Sequence, residues 1–243
     1  MGRPATGDTT LVVGWLAALL AIAGFSALGH WQLGRQQEKQ LMLDQVAATV
    51  AAKSPRPLAI AADGARAGVY DWAAGGGRFA EAPAVLLDNQ QREGRAGVRV
   101  YRAFVPDGGA APLLVELGWL PLPGDRRLPE VPRPVGQHDI AGLLAPPPAH
   151  GIGPAGFAVQ GDGSLLAVGL DPAALAPALR LPGLAPRVLK LDPDAAIGYA
   201  RDLDILPNTL PPERHLGYAV QWFALALAVL ATAIVLTSRR QRP

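Results

Sequence analysis

Residues 216–236 read LGYAVQWFALALAVLATAIVL and residues 11–29 read LVVGWLAALLAIAGFSALG; neither run holds an Asp, Glu, Lys or Arg. A helix needs roughly 20 apolar residues to cross the hydrocarbon layer of a bilayer, and both runs reach that length. Uncharged sequence surrounds them, from Thr9 to Gly34 and from His215 to Ser238. Two spans put both termini on one side of a membrane and the long middle segment on the other. The expected layout is an N-terminus over 1–10, a transmembrane helix over 11–29, a domain over 30–214, a second transmembrane helix over 215–236 and a tail over 237–243.

The tail carries Arg239, Arg240 and Arg242 with no acid, which predicts cytoplasmic termini and an extracytoplasmic middle domain. Arg3 before the first span and Arg35 and Lys39 after it leave that span undecided alone. A cleaved signal peptide is the competing reading of the first run, because Ala21-Ile22-Ala23 has the small residues of a cleavage site. Apolar sequence continuing to Leu33 favours a retained anchor. Residues 35–214 hold 18 basic and 19 acidic side chains, so the pI of 9.2 comes from the chain ends and makes no case for nucleic acid. The absence of cysteine excludes a disulfide scaffold, thiolate zinc and CxxC redox chemistry. Two methionines give little support to a copper chaperone.

Past the first span the helical pattern runs on to about Lys53, where Ser54-Pro55-Arg56-Pro57 stops it. Gly75-Gly76-Gly77 reads as a turn or bulge. Short strands are expected at 84–88, 97–101, 113–119, 139–144, 165–168 and 187–191. In Gly97–Tyr101 the alternation of Val98 and Val100 with Arg99 and Tyr101 predicts a half-buried strand. Asp171-Pro172 reads as an N-cap and first helical residue of a short helix ending near Arg180. The expected fold class is membrane-anchored α+β, with two transmembrane helices flanking a β-rich extracytoplasmic domain that carries one short helix.

Four histidines are the sharpest chemical signal. His30 closes the first apolar run and His215 opens the second, so the expected topology sets both at one membrane boundary. Imidazole is a good axial ligand for haem iron, and Tyr218, Ala219 and Trp222 follow His215 at helical spacing, as a flat apolar ligand requires. Interfacial belts also use His, Trp and Tyr with no ligand at all. His138 and His150 sit in loops flanked by Pro and Gly and read as solvated. Arg92, Arg95, Arg99 and Arg102 form either an anion-binding row or a solvated strand face paired with Asp88 and Glu93. No nucleophile elbow, phosphate-cradling glycine loop or catalytic trio is present, so no enzyme activity is expected.

Leu28-Gly29-His30-Trp31-Gln32-Leu33-Gly34-Arg35 with Glu38-Lys39 resembles the "LGxWQLxR…K" stretch of the surfeit locus protein one family. Arg214 to Ala226, RHLGYAVQWFALA, is similar to that family's "NHLGYAxTWFxLA". Asp88-Asn89-Gln90 with Gly94 and Gly97, Leu114 to Pro121, and Gly142-Leu143-Leu144 resemble its internal motifs in the right order. Leu117 stands where the family's "RGW" has arginine, and GIGPAGFAVQGDG over 151–163 lacks the family's tryptophan-rich stretch.

The resemblance implies a non-catalytic assembly factor for cytochrome c oxidase in a bacterial plasma (inner) membrane. It would bind haem a and pass it to the oxidase's catalytic subunit, with haem a synthase as a further partner. His215 would be the iron ligand, Tyr218 and Trp222 the walls of the apolar slot. His30 falls at a position the family motif leaves open. The alternative is a cofactor-free membrane scaffold that holds oxidase subunits or other proteins.

Overall fold

The computed structural model describes residues 6–148, 156–206 and 209–240. His150, Arg3, Arg242 and residues 151–155 lie outside them. In chain order the elements are α1 (Thr6–Ala52), β1 (Arg56–Pro57), β2 (Asp71–Phe79), β3 (Val85–Arg92), β4 (Arg95–Pro106), β5 (Leu113–Pro121), β6 (His138–Ala145), β7 (Phe157–Val159), β8 (Leu165–Ala167), α2 (Pro172–Leu179), β9 (Val188–Leu191) and α3 (Pro212–Arg240). They form two compact units: one spans Asp44–Thr209, and the other joins the chain up to Leu43 with the chain from Leu210.

In the terminal unit, α1 and α3 are both long and apolar enough to cross a membrane. They pair in antiparallel fashion. The Trp15 indole Nε1 donates to Thr237 Oγ1 at 3.1 Å at one end, and Lys39 Nζ donates to the Leu210 carbonyl at 2.5 Å near the other. Glycine permits the close approach: a Cβ on Gly29 would lie 2.8 Å from the Phe223 ring. At 47 residues α1 extends about 70 Å, more than twice a bilayer's hydrocarbon thickness. It ends at Ala52 because Lys53 turns left-handed (φ 38°) and Pro55 follows.

The Asp44–Thr209 unit is a mixed sheet whose pairings run β1-β2-β6-β9-β5-β4-β3-β8-β7, with β2 also pairing to β4. That extra pairing, Gly77–Phe79 against Phe104–Pro106, closes a ring of β2, β6, β9, β5 and β4. Gly75–Gly77 is therefore inside a strand, paired residue for residue with Ile140, Asp139 and His138, and is neither the expected turn nor a bulge. The reason is space: a Cβ on Gly77 would fall 2.3 Å from the Val105 carbonyl, where the ring closes. Phe79, Val98, Val100, Phe104, Leu113, Val115, Leu144 and Leu189 fill one apolar core. A second, with Val85, Leu87, Tyr101, Leu114 and Leu165, is covered by α2 through Leu175 and Leu179. Asp171 caps α2 by accepting from the Ala173 amide at 2.9 Å, as the sequence predicts.

The half-buried reading of β4 fails. Arg99 and Tyr101 are buried along with Val98 and Val100. Their face covers Glu116, whose carboxylate accepts from Arg99 Nη1 at 2.5 Å, Tyr101 Oη at 2.8 Å and Lys190 Nζ at 2.8 Å. A second buried cluster joins Asp71 to Arg187 at 2.8 Å and to Arg66 at 2.6 Å. Burial pushes both carboxyls up, but Lys190 and Arg99 outweigh it at Glu116, and Arg66 and Arg187 at Asp71, so both end below their ordinary values. A depressed carboxyl contributes stability that is complete above its unfolded pKa, about 4, and is lost as pH falls through the lower folded value. The denaturation midpoint should therefore hold steady from pH 7 to about pH 5 and drop below about pH 4. A domain as stable at pH 3 as at pH 7 would contradict this account of the two clusters.

Candidate functional site

His215 sits one turn into α3 and is 7% exposed. Its Nδ1 is 2.7 Å from Gln32 Oε1 on α1, while Nε2 is buried with no hydrogen-bond partner. A carbonyl oxygen can only accept, so Nδ1 carries the ring proton and Nε2 the lone pair. The contact is a consequence of helical spacing. Phe25, Gly29 and Gln32 fall on one face of α1, and His215, Ala219, Trp222 and Ala226 fall on one face of α3. His215, Ala219 and Ala226 are buried. Trp222 stacks on Phe25 with centroids 5.6 Å apart and planes at 29°.

The expected histidine–aromatic slot is thus assembled only in part. Trp222 shares the face of His215, but its ring is engaged by Phe25. Tyr218 is 39% exposed and does not join the buried contacts of that face. His30 is exposed, one position away from the buried Gly29. His138 is not in a solvated loop. It opens β6, where its Nε2 lies 3.0 Å from the Val135 carbonyl and its ring packs edge-on against Phe79. Gln32 is the residue that sequence reasoning missed. Its signal was present: a polar amide seven residues after Phe25 on the packed face of an apolar helix.

The internal motifs also converge. The Trp119 indole Nε1 donates to the Gln90 carbonyl at 3.2 Å, and the Arg95 guanidinium lies 5.5 Å from the ring centre. Gly97 faces the same ring: a Cβ there would lie 2.4 Å from indole Cε2. Leu117 is the extra residue of a bulge where β5 pairs with β4, and its side chain enters the core. An arginine there would have to bury its charge or leave the core. Of the arginine row, Arg92 meets Asp202 and the expected Glu93, and Arg95 is exposed, whereas Arg99 and Arg102 are buried and Asp88 pairs with Arg126 instead, so the solvated face ends before Arg99.

The SURF1 family model matches residues 19–227, from within α1, through every strand, to within α3. The chain belongs to the SURF1 family. That family is associated with cytochrome c oxidase assembly. No curated protein matches the chain. The match includes both Gln32 and His215, so the SURF1-type pattern covers the two helices that make the buried imidazole contact.

Proposed function

We infer that the chain is a membrane-anchored, non-enzymatic assembly factor that receives haem a and delivers it to the catalytic subunit of cytochrome c oxidase. The observation that carries this reading is His215, a buried imidazole whose Nδ1 lies 2.7 Å from Gln32 Oε1 and whose Nε2 has no hydrogen-bond partner. Metal-ligating histidines are held this way by an acceptor on the second nitrogen. His215 would ligate the iron and Trp222 would flank the macrocycle. Tyr218, exposed beside them, would border the site. A single protein ligand suits cargo that must leave again. Haem a synthase is the proposed donor, and membrane lipid surrounds α1 and α3.

The test is spectroscopic. Full-length protein purified in mild detergent from cells making haem a should show a Soret band. His215→Ala should lose most of it, and Gln32→Ala should weaken retention by about 10–100-fold. His138→Ala should keep the haem, and His30→Ala reports whether a second ligand comes from α1. Equal haem in all four variants, or none in the unmodified protein, would end the cofactor reading.

A specific observation favours the cofactor-free scaffold as second reading. The Phe25–Trp222 stack and the His215–Gln32 bond already complete the packing of the two helices. The proposed topology, a bacterial inner membrane protein with both termini cytoplasmic, is supported by Arg239 and Arg240 in the last turn of α3. A reporter active only outside the cytoplasm should work when fused near Gly109 and fail at the C-terminus. The reverse pattern would invert the orientation.

A further inference from the structure

A cleft of about 260 Å³ opens between the Pro83–Ala84 segment, Pro129, Val131 and the turn at Asp162–Ser164, with Arg102 of β4 in its lining. Arg102 is 8% exposed. One terminal nitrogen donates to the Ala82 carbonyl at 2.9 Å, the other to the Val131 carbonyl, and the buried Nε has no partner. A guanidinium carries five N–H donors, so two are used. Among the described residues no carboxylate pairs with it, whereas Arg92, Arg99, Arg133 and Arg187 each have one. A buried cation without a counter-charge is costly.

Asp162 also lines the cleft and supplies the complementary charge. Asp162 accepts from the Ser164 amide at 2.9 Å and its hydroxyl at 2.7 Å, and these bonds hold its carboxyl below the usual range. The two formal charges of the lining cancel. A hydrated dianion would meet repulsion from Asp162 and would leave the walls of Pro83, Pro129 and Val131 unused. An acidic residue within a polypeptide satisfies all three features: its carboxylate meets Arg102, its backbone N–H meets Asp162, and its apolar atoms meet the prolines.

We propose that this cleft is a docking site for an acidic side chain of a partner polypeptide. The site is independent of haem and of His215. Calorimetric titration of the full-length protein in mild detergent with blocked aspartate (N-acetyl, N′-methylamide) tests it. Blocked aspartate should bind saturably, and the isosteric blocked asparagine about tenfold more weakly or not at all. Arg102→Met should abolish binding. Asp162→Asn, on the exposed rim, should weaken blocked aspartate while strengthening inorganic phosphate, and it decides the matter should Arg102→Met not fold. The proposal is overturned by absence of binding, by equal binding of blocked asparagine, by phosphate binding as tightly to the unmodified protein, or by an Asp162→Asn variant that behaves like it.

Discussion

Glu116→Gln should destabilise the protein by about 3–5 kcal/mol, because it removes an anion that two buried cations share at hydrogen-bond distance. Arg99 and Lys190 both donate to Glu116, and all three side chains are almost wholly buried. Arg99 retains Asp202 at 3.6 Å, but Lys190 has no second carboxylate among the described residues. Lys190→Met is the informative contrast, since it leaves the Arg99–Glu116 pair balanced and adds an apolar side chain of similar length. It should cost far less than Glu116→Gln. For a chain of this size the Glu116→Gln loss lowers the melting midpoint by about 10 °C. Thermal unfolding of the full-length variants in detergent measures both. A Lys190→Met variant less stable than Glu116→Gln would show that packing rather than charge balance holds this layer.

Gly118→Ala should be a severely damaging single-methyl change, at about 2–4 kcal/mol. Gly118 lies at φ +127°, outside the range that L side chains adopt readily. A Cβ there would also lie 2.7 Å from the Tyr199 carbonyl and 2.8 Å from that of Ala200. Those carbonyls cannot retreat freely: the Trp119 amide donates to Ala200 at 2.7 Å, and the Tyr199 amide donates to Leu117 at 2.8 Å. Gly94→Ala separates the two causes, because Gly94 also has positive φ (+74°) but faces open space. It should cost about 1–2 kcal/mol, the strain alone. Equal losses at the two glycines would remove the close contact with residues 199–200 from the explanation.

Much of this architecture was legible from local rules. Hydropathy alone located the two long helices, because a 20-residue uncharged run has few alternatives. The Ser54–Pro57 stop, the Asp171-Pro172 cap and six of the strands followed from backbone chemistry confined to a few neighbouring residues. Periodicity misled at β4, since Val98–Arg99–Val100–Tyr101 looks like one wet and one dry face. Only the arrival of Glu116 from β5 and Lys190 from β9 makes the charged face dry. Nothing within five residues of Arg99 reveals those partners.

The candidate site divides along the same line. The sequence by itself determined that His215 stands at the entry of an apolar helix and that Gln32 lies on a second one. Chain order separates them by 183 residues, and neither carries a local signal for the other. Tertiary structure decided that they meet, that Trp222 stacks on Phe25 and that Tyr218 stays outside the buried contacts. It likewise decided that Arg102, buried at the end of the 92–102 row, meets no carboxylate among the described residues. The physical reason is range: propensity, capping and hydropathy act over one or two turns of chain, whereas a hydrogen bond or ion pair depends on which distant segments packing brings within about 3 Å.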